Sequence, residues 1–158
     1  MNEFTHLDKA GNATMVDVSA KSVTCRTATA RAVVFLPEVV LKQLNDGDLT
    51  TKKGSVFQTA VIAGIMAAKK TGDLIPLCHP IGMDNCKIDI SLNDAQEVVI
   101  NCTASISAKT GIEMEALVGA SVAALTVYDM CKALSHDIVI KEVKLIEKTG
   151  GKRDFKRS

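Results

Sequence analysis

The sequence predicts an α+β fold: a ferredoxin-like α/β sandwich whose antiparallel sheet carries its helices on one face, assembled into an oligomer. Three observations predict it. Strand-like and helix-like segments follow one another in β-α-β-β-α-β order, two runs of alternating apolar and polar residues are joined by a short turn, and two helical segments are apolar on every side.

The elements follow in order. Residues 23–35, Val-Thr-Cys-Arg-Thr-Ala-Thr-Ala-Arg-Ala-Val-Val-Phe, are rich in β-branched side chains and read as the first long strand. Pro37 and Glu38 open a short helix through Leu44, because proline suits the first helical turn, and Asn45-Asp46-Gly47-Asp48 stops it. After a loop holding Lys52, Lys53 and Gly54, Ser55 caps a second helix, and Gln58 three residues on completes a capping-box pattern. That helix runs to about Lys70 and ends at Gly72. The two prolines of Asp73-Leu-Ile-Pro-Leu-Cys-His-Pro80 prevent its continuation. Cys86, Ile88, Ile90 and Leu92 alternate with Lys87, Asp89 and Ser91 in a half-buried strand. Beyond the turn Asn93-Asp94-Ala95, Val98, Ile100, Cys102, Ala104 and Ile106 form its partner. Gly111 precedes a long helix over about 113–134, and 138–146 is the last strand.

No linker, repeat or low-complexity tract interrupts this order, so 1–158 reads as a single domain. The two long helices are apolar nearly all round: Val56, Phe57, Ala60, Val61, Ile62 and Ile65 in one, Leu117, Val118, Val122, Leu125 and Val127 in the other. A two-layer sandwich buries one stripe of a helix only, so these helices require cover from further subunits.

With 47% hydrophobic and 23% charged residues, the 158-residue chain has ample material for one core. Its formal net charge of +1 argues against a nucleic-acid or membrane-surface partner. An RNA-binding module of the same topology needs aromatic side chains on its central strands. Here aromatic content is 3%, and the strands offer Cys, Ile, Val and Ala instead. Five cysteines without a C-x-x-C fit reduced thiols better than disulfides or zinc. The start lacks the basic and apolar regions of a signal peptide, and the apolar stretches 56–68 and 116–127 fall short of the ~20 residues that span a bilayer. A cytoplasmic protein is expected.

Four places combine polar groups with structural punctuation. Lys52-Lys53-Gly54 at a helix start has the makings of a phosphate grip, or is a solvated loop. Leu77-Cys78-His79-Pro80 presents a histidine in a proline-bounded loop. A Cys–His nucleophile or a metal there is disfavoured, because neighbours in extended chain point apart and no further ligands have workable spacing. Glu113-Met114-Glu115 opens the long helix, where capping alone accounts for two acids. Asp129 and Lys132 interrupt an almost uncharged helix at i and i+3, either as an acid–base pair or as an exposed salt bridge. Thr149-Gly150-Gly151-Lys152 lacks a phosphate loop's spacing but could fold over an anionic ligand.

Taken together, Thr14-Met-Val-Asp-Val-Ser19, Lys53-Gly54, Ala63-Gly-Ile65, Ala67-Ala-Lys69, Asp73 to Pro80, Lys109-Thr-Gly-Ile-Glu-Met-Glu-Ala-Leu117, Ser121 to Lys132 and Lys148-Thr-Gly-Gly-Lys152 closely resemble the cyclic pyranopterin monophosphate synthase family. The resemblance covers nearly the whole chain in order. It implies a lyase of molybdenum-cofactor biosynthesis that converts 3′,8-cyclo-7,8-dihydro-GTP to cyclic pyranopterin monophosphate with loss of pyrophosphate. It also implies a homohexamer, a trimer of dimers, with its sites between subunits. No cofactor is required, with Mg²⁺ admitted as the triphosphate's counter-ion. By position Asp129 matches the catalytic aspartate and Lys53, Lys69 and Lys132 match functional lysines, with Lys53 and Lys132 counted as catalytic. Leu77, Cys78, His79, Met114 and Glu115 match substrate-binding positions, as Lys69 does for the phosphates. An interface site is supposed here to draw Lys53 and Asp129 from different chains. A non-catalytic sensor of purine nucleotides would share the basic pocket without needing Asp129.

Overall fold

Four long strands organise the chain, and the computed structural model describes residues 4–158; the first three residues, part of the start inspected for a targeting signal, lie outside it. The strands are β1 (Thr24–Phe35), β5 (Asn85–Leu92), β6 (Val98–Ala108) and β7 (Val139–Thr149). Together with the two-residue β8 (Phe155–Lys156) they form one sheet in the order β5-β6-β1-β7-β8, every neighbouring pair antiparallel. Strand β6 thus lies between β5 and β1, which run parallel to each other, and the helix α2 (Val56–Ala68) lies on the connection between them. The mixed α/β architecture, an antiparallel sheet with helices packed on it, agrees with the sequence.

The inward face of the sheet is made of small residues. Ala28, Ala30, Ala32 and Val34 of β1 and Ile100, Cys102 and Ala104 of β6 are fully or almost fully buried. Against them lie Val56 and Ala60 of α2, and Ala116, Ala120, Ala123, Ala124 and Val127 of α4 (Glu113–Cys131). The two helices cross on glycines. A methyl group on Gly64 would come 2.7 Å from the carbonyl oxygen of Gly119, and one on Gly119 would come 2.6 Å from the Cys102 sulfur. Backbone therefore packs on backbone there, and only glycine permits that approach.

Several expected boundaries shift for physical reasons. The short helix α1 (Glu38–Leu41) ends before Leu44, because residues 44–55 form a three-stranded ribbon instead: β2 (Leu44–Asn45), β3 (Asp48–Thr51) and β4 (Gly54–Ser55). Asp46 and Gly47 take positive φ of 49° and 78°, so the residues read as a helix stop are the two central residues of a hairpin turn. Helix α2 ends at Ala68, and a further turn, α3 (Thr71–Leu74), follows; Gly72 closes no helix but passes within 3.0 Å, at its would-be Cβ, of Pro80 Cα. Helix α4 stops at Cys131, and β7 begins one residue later than expected and continues to Thr149.

Helix α4 is long and apolar enough to cross a membrane by length and composition, in contrast to the shorter stretch estimated from sequence. Half of it is buried against the sheet and α2, as in a core helix. The layer's outer side leaves Ile62 59%, Met66 55% and Leu125 56% exposed within one chain.

Candidate active site

Chemistry-bearing residues gather at the two ends of the helix pair. At one end, a cleft of about 750 Å³ is lined by Leu77, Cys78 and His79 from the loop after α3, and by Glu113, Met114 and Glu115 from the start of α4. Lys21, Arg26, Lys148 and Lys152 also line it and give it a basic rim. The volume lies in the range of small-molecule sites.

Each wall is held by named bonds. The residues from Thr5 to Ser22 are coil apart from one isolated bridge, and the part before β1 is tied across the cleft at two points. His79 Nε2 lies 2.8 Å from the carbonyl oxygen of Val16, and Lys109 Nζ donates to the Ser19 carbonyl at 3.0 Å. A carbonyl only accepts, so His79 donates from Nε2. Arg26 donates from Nε to the Ala108 carbonyl at 3.1 Å and from Nη2 to that of Lys109 at 3.2 Å, fixing the turn into α4. Thr24 donates its hydroxyl to the Gly150 carbonyl at 2.7 Å. Gly150 has φ +82°, and a side chain on it would strike the Cys25 carbonyl, so this turn of the Gly-Gly segment requires glycine.

The two glutamates at the start of α4 are not simple caps. Burial works to raise the Glu113 pKa, but Lys148, 2.8 Å away, its own backbone N–H and the charge of Arg26 together hold it below the usual range. Glu115 is 3% exposed, and burial, with the charge of Glu113, pushes its carboxyl up. Burial likewise raises the Cys78 thiol, with Glu115 adding to it, so this cysteine is a poor thiolate.

At the other end of the helices stand Lys53, Asp129 and Lys132. Lys132 Nζ lies 2.6 Å from Asp129 Oδ1, with both side chains about half exposed. The Lys132 hydrogen bond and charge, and then the charge of Lys53, hold the Asp129 carboxyl below its ordinary range, while Asp129 raises Lys132. The charge of Lys53 thus reaches the Asp129 carboxyl within one chain. Lys69, the C-cap of α2, is exposed and stands outside the cleft lining; its charge helps to lower Cys86, after the dominant hydrogen bond from Cys102.

Asp129 follows Glu115 by fourteen residues on the same helix, which is about 21 Å along its axis at ~1.5 Å per residue. The two clusters thus face different places within one chain. Sequence reasoning passed over Arg26 and Lys148. The usable signal for Arg26 was a guanidinium in a strand built mostly of Thr, Ala and Val, a signal that Arg31 shares without lining the cleft.

Residues 15–151 match the family model described as the MoaC family. A protein of Xanthomonas campestris pv. campestris (strain 8004) named cyclic pyranopterin monophosphate synthase is 57% identical over 152 residues, covering 96% of this chain and 92% of that protein. Molybdenum cofactor biosynthesis protein 1 of Dictyostelium discoideum is 51% identical over 96% of this chain, which spans 27% of that longer protein. The molybdenum cofactor biosynthesis bifunctional protein of Synechocystis sp. is 50% identical over 98% of this chain and 46% of its own length. A family match across the cleft, both helices and the Asp129 cluster, joined to a relative of nearly equal length at 57% identity, establishes that the chain belongs to the MoaC family.

Proposed function

We propose that the chain is a cyclic pyranopterin monophosphate synthase, a lyase that converts (8S)-3′,8-cyclo-7,8-dihydroguanosine 5′-triphosphate to cyclic pyranopterin monophosphate with release of pyrophosphate. The observation that carries this reading is 57% identity over 96% of the chain to a protein of that name, together with a basic cleft of nucleotide size. The purine-derived ring lies against Leu77, Cys78, His79, Met114 and Glu115. Lys53 and Lys69 supply positive charge to the phosphates and to the departing pyrophosphate. Asp129 and Lys132 carry the proton transfers of ring opening and closure. No cofactor is needed, and Mg²⁺ enters only with the triphosphate. The setting is the cytoplasm, and the single-domain chain adopts the ferredoxin-like sandwich.

The roughly 21 Å between Glu115 and Asp129 is too far for both to serve one reacting ring from one chain. We therefore read the functional unit as a homohexamer, a trimer of dimers, in which the cleft of one subunit meets the Lys53–Asp129–Lys132 cluster of another. The exposed Ile62, Met66 and Leu125 support such cover. The test is turnover of the cyclic triphosphate by the purified chain, with product and pyrophosphate measured together. Binding of substrate without either product would reduce the protein to a sensor and overturn the reading.

A further inference from the structure

The start of α2 is held from outside the helix. Asp48, at the head of β3, accepts the backbone N–H of Phe57 at 2.9 Å and of Leu49 at 2.6 Å on Oδ1, while the Ser55 hydroxyl donates to Oδ2. Ser55 in turn accepts the N–H of Gln58 at 3.1 Å. One carboxylate from the ribbon thus completes the cap of a helix nine residues on, and its negative charge suits that helix end.

Lys53 is carried by the turn between those two anchors. Its backbone N–H donates to Thr51 Oγ1 at 3.1 Å, and Gly54 holds φ +103°. Asp48 also stands near enough to Cys131 that its charge, after burial, helps to raise that thiol to about 11. Cys131 lies between Asp129 and Lys132 on the last turn of α4. The Asp48 carboxylate therefore joins the ribbon to the start of α2, and its charge reaches the end of α4.

We infer that Asp48 is a positioning residue for Lys53: by bonding Ser55, Phe57 and Leu49 it fixes the 51–54 turn, and so sets where the Lys53 ammonium stands relative to Asp129. This rests on the reading of Lys53 as a ligand of the substrate phosphates. A carboxylate placed at residue 55 itself would do the same work, since aspartate caps as well as serine there.

The experiment measures binding of GTP and of GMP, as non-reacting probes, to assembled protein carrying Asp48→Ala, Asp48→Asn, Lys53→Ala, the Asp48→Ala/Lys53→Ala pair and the Asp48→Ala/Ser55→Asp pair. Asp48→Ala is expected to weaken GTP about tenfold and GMP less than about twofold, to have no further effect once Lys53 is alanine, and to be reversed by Ser55→Asp. Asp48→Asn keeps an acceptor oxygen and retains most of the GTP affinity, which preserves a folded variant should the alanine fail. A merely structural role would weaken both nucleotides alike. Equal losses, or a full Asp48→Ala effect persisting in the Lys53→Ala background, overturn the proposal. If Lys53→Ala itself leaves the GTP-to-GMP preference intact, the Lys53 reading falls first and takes this proposal with it.

Discussion

Lys132 reaches back three residues along α4 to place its ammonium 2.6 Å from Asp129 Oδ1, and the pair stands half exposed at the end of an otherwise nearly uncharged helix. An exposed pair contributes little to folding in a single chain. Its place on that helix is better explained by what approaches it from outside.

Asp129→Asn is therefore expected to preserve fold, assembly and melting temperature while lowering turnover roughly 10²–10⁴-fold, the usual share of a positioned acid or base. Gel filtration and steady-state kinetics check this. Turnover within a few-fold of wild type, in correctly assembled protein, would refute the assignment.

Lys53→Ala should weaken the triphosphate substrate more than an analogue lacking its outer phosphates, because the lysine acts as a point charge. Calorimetric titration of both ligands reads the difference. Equal losses would place Lys53 away from the phosphate end.

Subunit mixing is now best done between the two clusters rather than within one. Asp129→Asn and His79→Ala lie at opposite ends of the helix pair, so a mixed dimer has one site with both lesions and one with neither. Random assembly would restore about a quarter of wild-type activity. A mixture as inactive as both parents, despite demonstrated exchange, would show that each site is built from one chain.

Glu115 supplies a pH prediction. Its folded-state pKa is raised by burial. Its stability contribution is thus fully present below the unfolded value of about 4.5 and is lost as pH rises through the folded value. Glu115→Gln should raise the melting temperature by about 1–4 °C at pH 7.5 and change it little at pH 4, while weakening substrate binding. A fall in melting temperature at pH 7.5 with none at pH 4 would reverse the sign of this argument.

Much of this was legible in the sequence, and the misses share a cause. Strand β1 follows from its β-branched content, the β5–β6 pair from alternation of apolar and polar residues, and the two long helices from their apolar runs and the punctuation around them. The β2–β3–β4 ribbon was hidden because Asp46-Gly47 serves a helix stop and a hairpin turn equally well, and only pairing with β3 decides between them. Ser55 was legible as a cap, but Asp48, which completes it, bonds across nine residues and leaves no local pattern. The cleft residues around His79 and Glu115 were legible as separate candidates. Their meeting depends on which helix ends adjoin, and element order alone does not give that.

The glycine crossing of α2 and α4 makes the helix pair a lever with a fixed fulcrum. Asp129 lies ten residues beyond Gly119, an arm of about 15 Å. Opening the crossing to admit a single methyl at Gly64, against the Gly119 carbonyl and Ile88, costs about 1–3 kcal/mol, and the damage does not stay at the crossing. A tilt of roughly 5° there sweeps the far end by more than about 1 Å, a displacement on the scale that can cost 10²-fold in rate. Gly64→Ala should thus slow turnover far more than its loss of stability foretells, though it touches no group at either end.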